Sequence, residues 1–159
     1  EQQVVSGIAY TRDEAKVTLI RVDDKPGVSA RIFGLLADAN ITVDVIVQNV
    51  SEDGNHTDVT FTVPESDLER TRGVLEAARP EIGYGELVDS TDIVKISVIG
   101  AGMRTHAGVA AQMFGALASK GINIQAITTS EIKISVLIDA EYTELALRTL
   151  HSSYGLDQD

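Results

Sequence analysis

Polar and apolar positions change their rhythm in a fixed order along the chain. Val17 and Leu19 share one face of an extended segment, whereas Val28, Ile32, Leu35, Leu36 and Ala39 recur at the spacing of an amphipathic helix. A second strand is expected over residues 41–47. The polar stretch Ser51-Glu52-Asp53-Gly54-Asn55 then turns the chain into a strand whose Val59, Phe61 and Val63 face one side. Pro64-Glu65-Ser66 opens a second helix in which Ser66 and Glu69 have capping-box spacing, Leu68, Leu75 and Ala78 form the inner face, and Pro80 marks the stop. A strand near residues 84–88 completes the series, whose order is βαββαβ.

The same series occurs twice. KVTLIRV from Lys16 matches KISVIGA from Lys95 at an offset of 79, and GVSARIFGLLADANITVDVIVQN from Gly27 matches GVAAQMFGALASKGINIQAITTS from Gly108 at 81. DVTFTV from Asp58 matches KISVLI from Lys133 at 75, so the second hairpin is six residues shorter. Repeats of this length suit duplicated domains rather than solenoid units. In the second copy the helix stripe is Val109, Met113, Ala116 and Leu117, a strand follows over residues 122–127, and Asp139 is expected to cap a last helix carrying Leu145, Leu147 and Leu150. Only SSYGLDQD remains after it, too polar for a sixth element. The N-terminal VSGIAYTRDEAK, however, lies over YGELVDSTDIVK at the offset of 79, with Ile8 on Leu87 and Asp13 on Asp92. The expected fold is therefore α+β, two ferredoxin-like units, with a first domain at residues 15–90 inserted into a second built from residues 1–14 and 91–159.

Composition narrows the function. The 159 residues include no Cys, which removes disulfide scaffolds, thiolate metal sites and thiol nucleophiles. With 13 Lys+Arg against 24 Asp+Glu the net charge is −11, which repels nucleic acid and anionic membranes and disfavours both as partners. No apolar run reaches the roughly 20 residues of a membrane helix, and EQQVVSGIAY lacks the features of a leader. A cytoplasmic location is expected. Glu1 in first place fits either a processed subunit or a piece of a longer polypeptide.

Catalytic chemistry is not evident. Gly100-Ala101-Gly102 begins a nucleotide-loop pattern, but Thr105 stands where its third Gly belongs. His56, His106 and His151 are too far apart in sequence for ligand spacing and read as solvent-exposed, no Gly-x-Ser-x-Gly elbow exists, and no acid pair stands out. No metal or cofactor is expected. What remains is the turn Asp24-Lys25-Pro26-Gly27-Val28, which reads either as a helix start solvated by water or as a cradle of backbone N–H groups for a carboxylate.

This βαββαβ unit with its Lys-Pro-Gly turn resembles the ACT domain. Further motifs, among them Glu14-Ala15-Lys16-Val17-Thr18, Val47-Gln48-Asn49-Val50, Lys95-Ile96-Ser97-Val98 with Gly100-Ala101-Gly102-Met103-Arg104, and Thr129-Ser130-Glu131-Ile132-Lys133, resemble the C-terminal regulatory half of bacterial monofunctional aspartate kinases across essentially the whole chain. The resemblance implies feedback control by lysine, threonine or both, a homodimer, and a catalytic kinase domain or α subunit as partner, with no catalytic residue in this chain. It assigns a threonine pocket to Gly27, Ser29 and Gln48 of one chain with Asn123 and Ile124 of its dimer partner. A lysine pocket falls to Asp24, Met103, Ser130 and Glu131, with two carboxylates for the distal ammonium and Met103 over the aliphatic stem. A stand-alone ACT sensor acting on another enzyme or a transcriptional partner is the competing expectation, and a small enzyme using the sheet as a cleft is a third.

Overall fold

The computed structural model describes residues 4–103 and 106–157. Arg104 and Thr105, the latter invoked above for the interrupted glycine pattern, lie outside the described residues. The chain divides into two compact units, one running over Asp13–Thr91 and the other combining the N-terminal segment through Arg12 with the chain from Asp92 onward. Both divisions fall slightly outside the boundaries read from sequence. Asp13, with a left-handed φ of 64°, turns the chain between strands, and Glu14 already belongs to the next strand.

In the unit spanning Asp13–Thr91, β2 (Glu14–Asp23), β3 (Ile46–Val50), β4 (His56–Pro64) and β5 (Glu86–Ser90) form an antiparallel sheet in the order β3-β4-β2-β5. Helices α1 (Val28–Asp38), α2 (Leu68–Ala77) and the four-residue α3 (Arg79–Ile82) accompany it. The predicted strand face and helix stripe meet: Val17, Leu19, Ile32, Leu36, Phe61 and Leu75 are fully buried together, and Phe33 meets Phe61 edge to face at 5.5 Å. Each such side chain stabilises the fold by about 1.5–3 kcal/mol through burial alone.

The other unit repeats the plan. Strands β1 (Val5–Thr11), β6 (Ile93–Gly100), β7 (Ala126–Thr129) and β8 (Lys133–Asp139) run in the order β1-β6-β8-β7, with α4 (Ala107–Ser119) and α5 (Thr143–Ser153). Strand β1 pairs antiparallel with β6 as β5 pairs with β2: Ile8 faces Val98, and Leu87 faces Leu19. Ile96, Val98, Met113, Leu117, Val136, Ala146 and Leu150 fill the core. Even a polar pair recurs, Thr18 with Thr60 at 3.0 Å and Ser97 with Ser135 at 2.7 Å, at equivalent sites of the two sheets.

Local expectations need correction at several points. The second strand of each copy starts later than its alternating pattern suggests, at Ile46 and Ala126. Before β3, the Val45 N–H is taken by the Thr62 hydroxyl at 3.1 Å instead of entering a regular ladder. The capping box at Ser66 and Glu69 does not form, because a 3₁₀ turn at Glu65–Asp67 precedes α2 and no side chain caps it. Asp139 likewise caps nothing, its carboxylate accepting instead from Gln125 Nε2 at 2.6 Å. Pro80 does not stop α2, which ends before it, but stands within the first two positions of α3, where its missing N–H is tolerated. On α5 the buried face is Thr143, Ala146 and Leu150, with Leu145 and Leu147 at its flanks. His56 and His151 are half-buried rather than freely exposed.

Candidate functional site

Between β2 and α1 the chain must leave a strand and begin a helix within four residues. Pro26 restricts the approach and Gly27 makes the turn at φ 89°, a left-handed conformation that a side chain disfavours. Arg31 N–H donates to the Gly27 carbonyl at 3.0 Å, so the Ser29 and Ala30 amides precede the first α-helical bond. No side chain caps this start. Asp24, Gly27 and Ser29 are all exposed, and the Asp24 carboxylate does not serve as a helix cap.

The neighbouring hairpin is tied to this turn. Asp24 N–H donates to the Asn55 carbonyl at 3.0 Å, and His56 lies 3.8 Å from Asp23 Oδ1 and 3.6 Å from Asp53 Oδ2. Asp53 accepts from the Ser51 hydroxyl and from Asn55 N–H, which holds its carboxyl below the usual range. Gln48 stands exposed on the edge strand β3, opposite Val59 and two residues before its end. The structure therefore collects Asp24, Gly27 and Ser29 in one turn and places Gln48 on the strand leading to the hairpin bound to that turn. Sequence reading missed this brace of Asp23, Asp53 and His56, although Asp53 lies within the predicted turn and His56 directly follows it.

In the second unit the corresponding turn and hairpin are joined by two backbone bonds. Gly100 N–H donates to the Ile132 carbonyl at 2.8 Å, and Met103 N–H to the Glu131 carbonyl at 2.9 Å. Met103 is only 2% exposed, with its side chain packed in the core of its own unit. The expectation that this side chain covers a ligand's aliphatic stem needs correction, since an apolar group so placed anchors the loop and leaves the backbone to hold Glu131. Glu131 is exposed beside Ser130, whose hydroxyl accepts from Ile132 N–H at 3.4 Å. Exposed Asn123 and half-buried Ile124 precede β7, whereas Ser130 and Glu131 follow it. Within this unit, Met103, Ser130 and Glu131 gather at one end and Asn123 with Ile124 stands apart. Among the described residues no group of three or more His, Asp or Glu side chains could hold a metal ion.

The ACT domain family matches residues 16–80 and again residues 96–154. An aspartate kinase of Pseudomonas fluorescens (strain SBW25) is 54% identical over 157 residues, a stretch covering 99% of this chain and 38% of that enzyme. The ligand-free regulatory subunit of aspartate kinase from Thermus thermophilus superimposes with a TM-score of 0.89 at 41% identity, covering 94% of this chain and 98% of that one. A chain from a crystal structure of aspartokinase alpha and beta subunits gives 0.88 at 47%, covering 95% and 99%. The chain thus spans well under half the length of the curated relatives it matches, but 98% of the Thermus thermophilus regulatory subunit. With two ACT domains and this end-to-end likeness, it belongs to the family of aspartate kinase regulatory regions.

Proposed function

We propose that the chain is the amino-acid-sensing arm of an aspartate kinase and that it conveys feedback inhibition by threonine and lysine to a catalytic domain or α subunit in the cytoplasm. The observation that supports this most is the pairing, in each unit, of a strand–helix turn with a hydrogen-bonded hairpin that leaves polar groups outward. In the proposed threonine pocket, amides at Gly27 and Ser29 receive the carboxylate, and Gln48 joins Asn123 and Ile124 of a dimer partner around the ammonium and side chain. The lysine pocket uses the Asp24 and Glu131 carboxylates for the distal ammonium, with Ser130 beside them and the Met103 amide fixing the Glu131 loop.

Inhibition then follows from linkage. An effector bound between chains favours the dimer arrangement that holds the kinase inactive, by no more than its difference in affinity for the two arrangements. A calorimetric screen of the proteinogenic amino acids, singly and as a lysine–threonine pair, tests the reading. Saturable heats are expected for threonine and lysine alone among them. Binding of an unrelated amino acid, or of none, would remove the reading.

A further inference from the structure

Helices α4 and α5 enclose a groove of about 520 Å³, within the range of small-molecule sites. Its lining contains Lys120 and Arg148 with Ser119, Thr149, Ser152 and Ser153, and no carboxylate. Neither cation makes an ion pair among the described residues, and Glu144, one turn before Arg148, does not reach it. Gln112 donates to the Ser153 hydroxyl at 3.0 Å, which leaves that hydroxyl's own hydrogen to point elsewhere. The setting is unusual for so acidic a chain. Asp13–Thr91 carries 16 Asp+Glu against 7 Lys+Arg, while the unit holding the groove carries 8 against 6.

The internal repeat supplies a control. By the offsets that align the helices, Ala116 stands where the other unit has Leu35, so the same seam is opened rather than filled. Lys120 replaces Ala39 and Arg148 replaces Gly73, bringing both cations. Ser119 replaces Asp38, removing an acid, and Thr149 and Ser152 replace Val74 and Ala77, adding hydroxyls. In the first unit Leu35, Ala39 and Val74 pack against the core. Six differences on one scaffold act toward a cavity that donates hydrogen bonds to an anion, against one, Leu145 in place of Arg70, that removes a cation. The planar guanidinium and the ammonium together suit oxygens spread over a tetrahedral group better than a single carboxylate.

We infer that the α4–α5 groove binds a phosphate-bearing small anion, at a site separate from the amino-acid pockets proposed above. The test titrates inorganic phosphate, pyrophosphate and ATP into the isotopically labelled chain at constant ionic strength and follows amide shifts. Pyrophosphate should give saturable shifts centred on residues 116–120 and 145–153, tighter than phosphate. ATP binding tighter still would indicate a nucleotide, and ATP no tighter than pyrophosphate would indicate a bare polyphosphate. Lys120→Ala with Arg148→Ala should weaken pyrophosphate by about tenfold or more, the loss of two charge-assisted contacts. A control pair removing the same charge elsewhere, Arg70→Ala with Lys133→Ala, should leave it unchanged, and lysine and threonine binding should persist in the groove variant. No saturation by about 10 mM, a range covering weak millimolar sites, or equal weakening in both variants, would overturn the inference.

Discussion

The two units share strand order, register and core positions, yet they begin their first helices differently. Gly27 and Gly108 align in the repeat, but Gly27 stands outside α1 in a left-handed turn, whereas Gly108 lies inside the first turn of α4, which starts at Ala107. The hairpins diverge as well: residues 51–56 carry Ser51, Asp53 and His56 in a polar brace, while Ser130 to Ile132 make a short turn held through Met103 and Gly100. Duplication has kept the buried pattern and varied the sheet ends and the helix seam. The shared layers supply stability, and the divergent loops are where the units can recognise different chemistry.

The largest effect expected from perturbing this comparison lies in the common core. Phe61→Ala removes a fully buried ring and its contact with Phe33, and should cost about 3–5 kcal/mol. The equivalent layer of the second unit lacks that aromatic pair, so Leu117→Ala there should cost about 2–5 kcal/mol. Urea unfolding followed by hydrogen exchange would show whether each loss stays within its unit.

Smaller and more diagnostic is the aligned glycine pair. No atom lies within 4 Å of a Cβ added at either position, so only backbone conformation distinguishes them. Gly27→Ala should destabilise by about 1–2 kcal/mol through its left-handed φ. Gly108→Ala should stabilise by up to about 1 kcal/mol, as alanine does in a helix. Thermal unfolding of the two variants checks this, and equal signs would contradict the described helix starts.

Tyr154 offers a test confined to the second unit. Its hydroxyl donates to the Val109 carbonyl at 2.6 Å, and burial pushes its pKa up to about 12. The folded state therefore favours the neutral phenol, so this contribution is complete below the unfolded value near 10 and is lost as pH rises toward 12. Tyr154→Phe should cost about 1 kcal/mol at neutral pH and remove that part of the alkaline loss. Least of all, Asp24→Ala should change stability by under about 0.5 kcal/mol, because its exposed carboxylate caps no helix, while abolishing most lysine affinity.

Much of this architecture was legible in the sequence because burial imposes period two on Val17 and Leu19 and helical spacing on Ile32 and Leu36. The offset of 79 that lays Ile8 over Leu87 also relates the pair Ile8–Val98 to the pair Leu87–Leu19. Backbone detail was not legible. The delayed start of β3 depends on a hydroxyl 17 residues away, and the missing caps follow from 3₁₀ turns that satisfy the helix starts differently. Candidate site residues could be named from motifs, but the burial of Met103 is a property of packing that no motif records. The α4–α5 groove depends on residues of two helices brought together by packing, which no single motif records.

The proposed threonine pocket draws Gln48 from one chain and Asn123 from its partner. Each single variant, Gln48→Ala or Asn123→Ala, should weaken threonine by about 1–3 kcal/mol in a homodimer, because both pockets are damaged. Co-refolding equal amounts of the two variants is the most direct test. Half of the dimers then carry both chains, and each of these has one pocket with Gln48 and Asn123 intact and one with neither. Calorimetry should recover threonine sites of original affinity amounting to about a quarter of the total, as expected for random two-fold pairing. If mixing restores no such sites, the pocket is not shared between chains in this way.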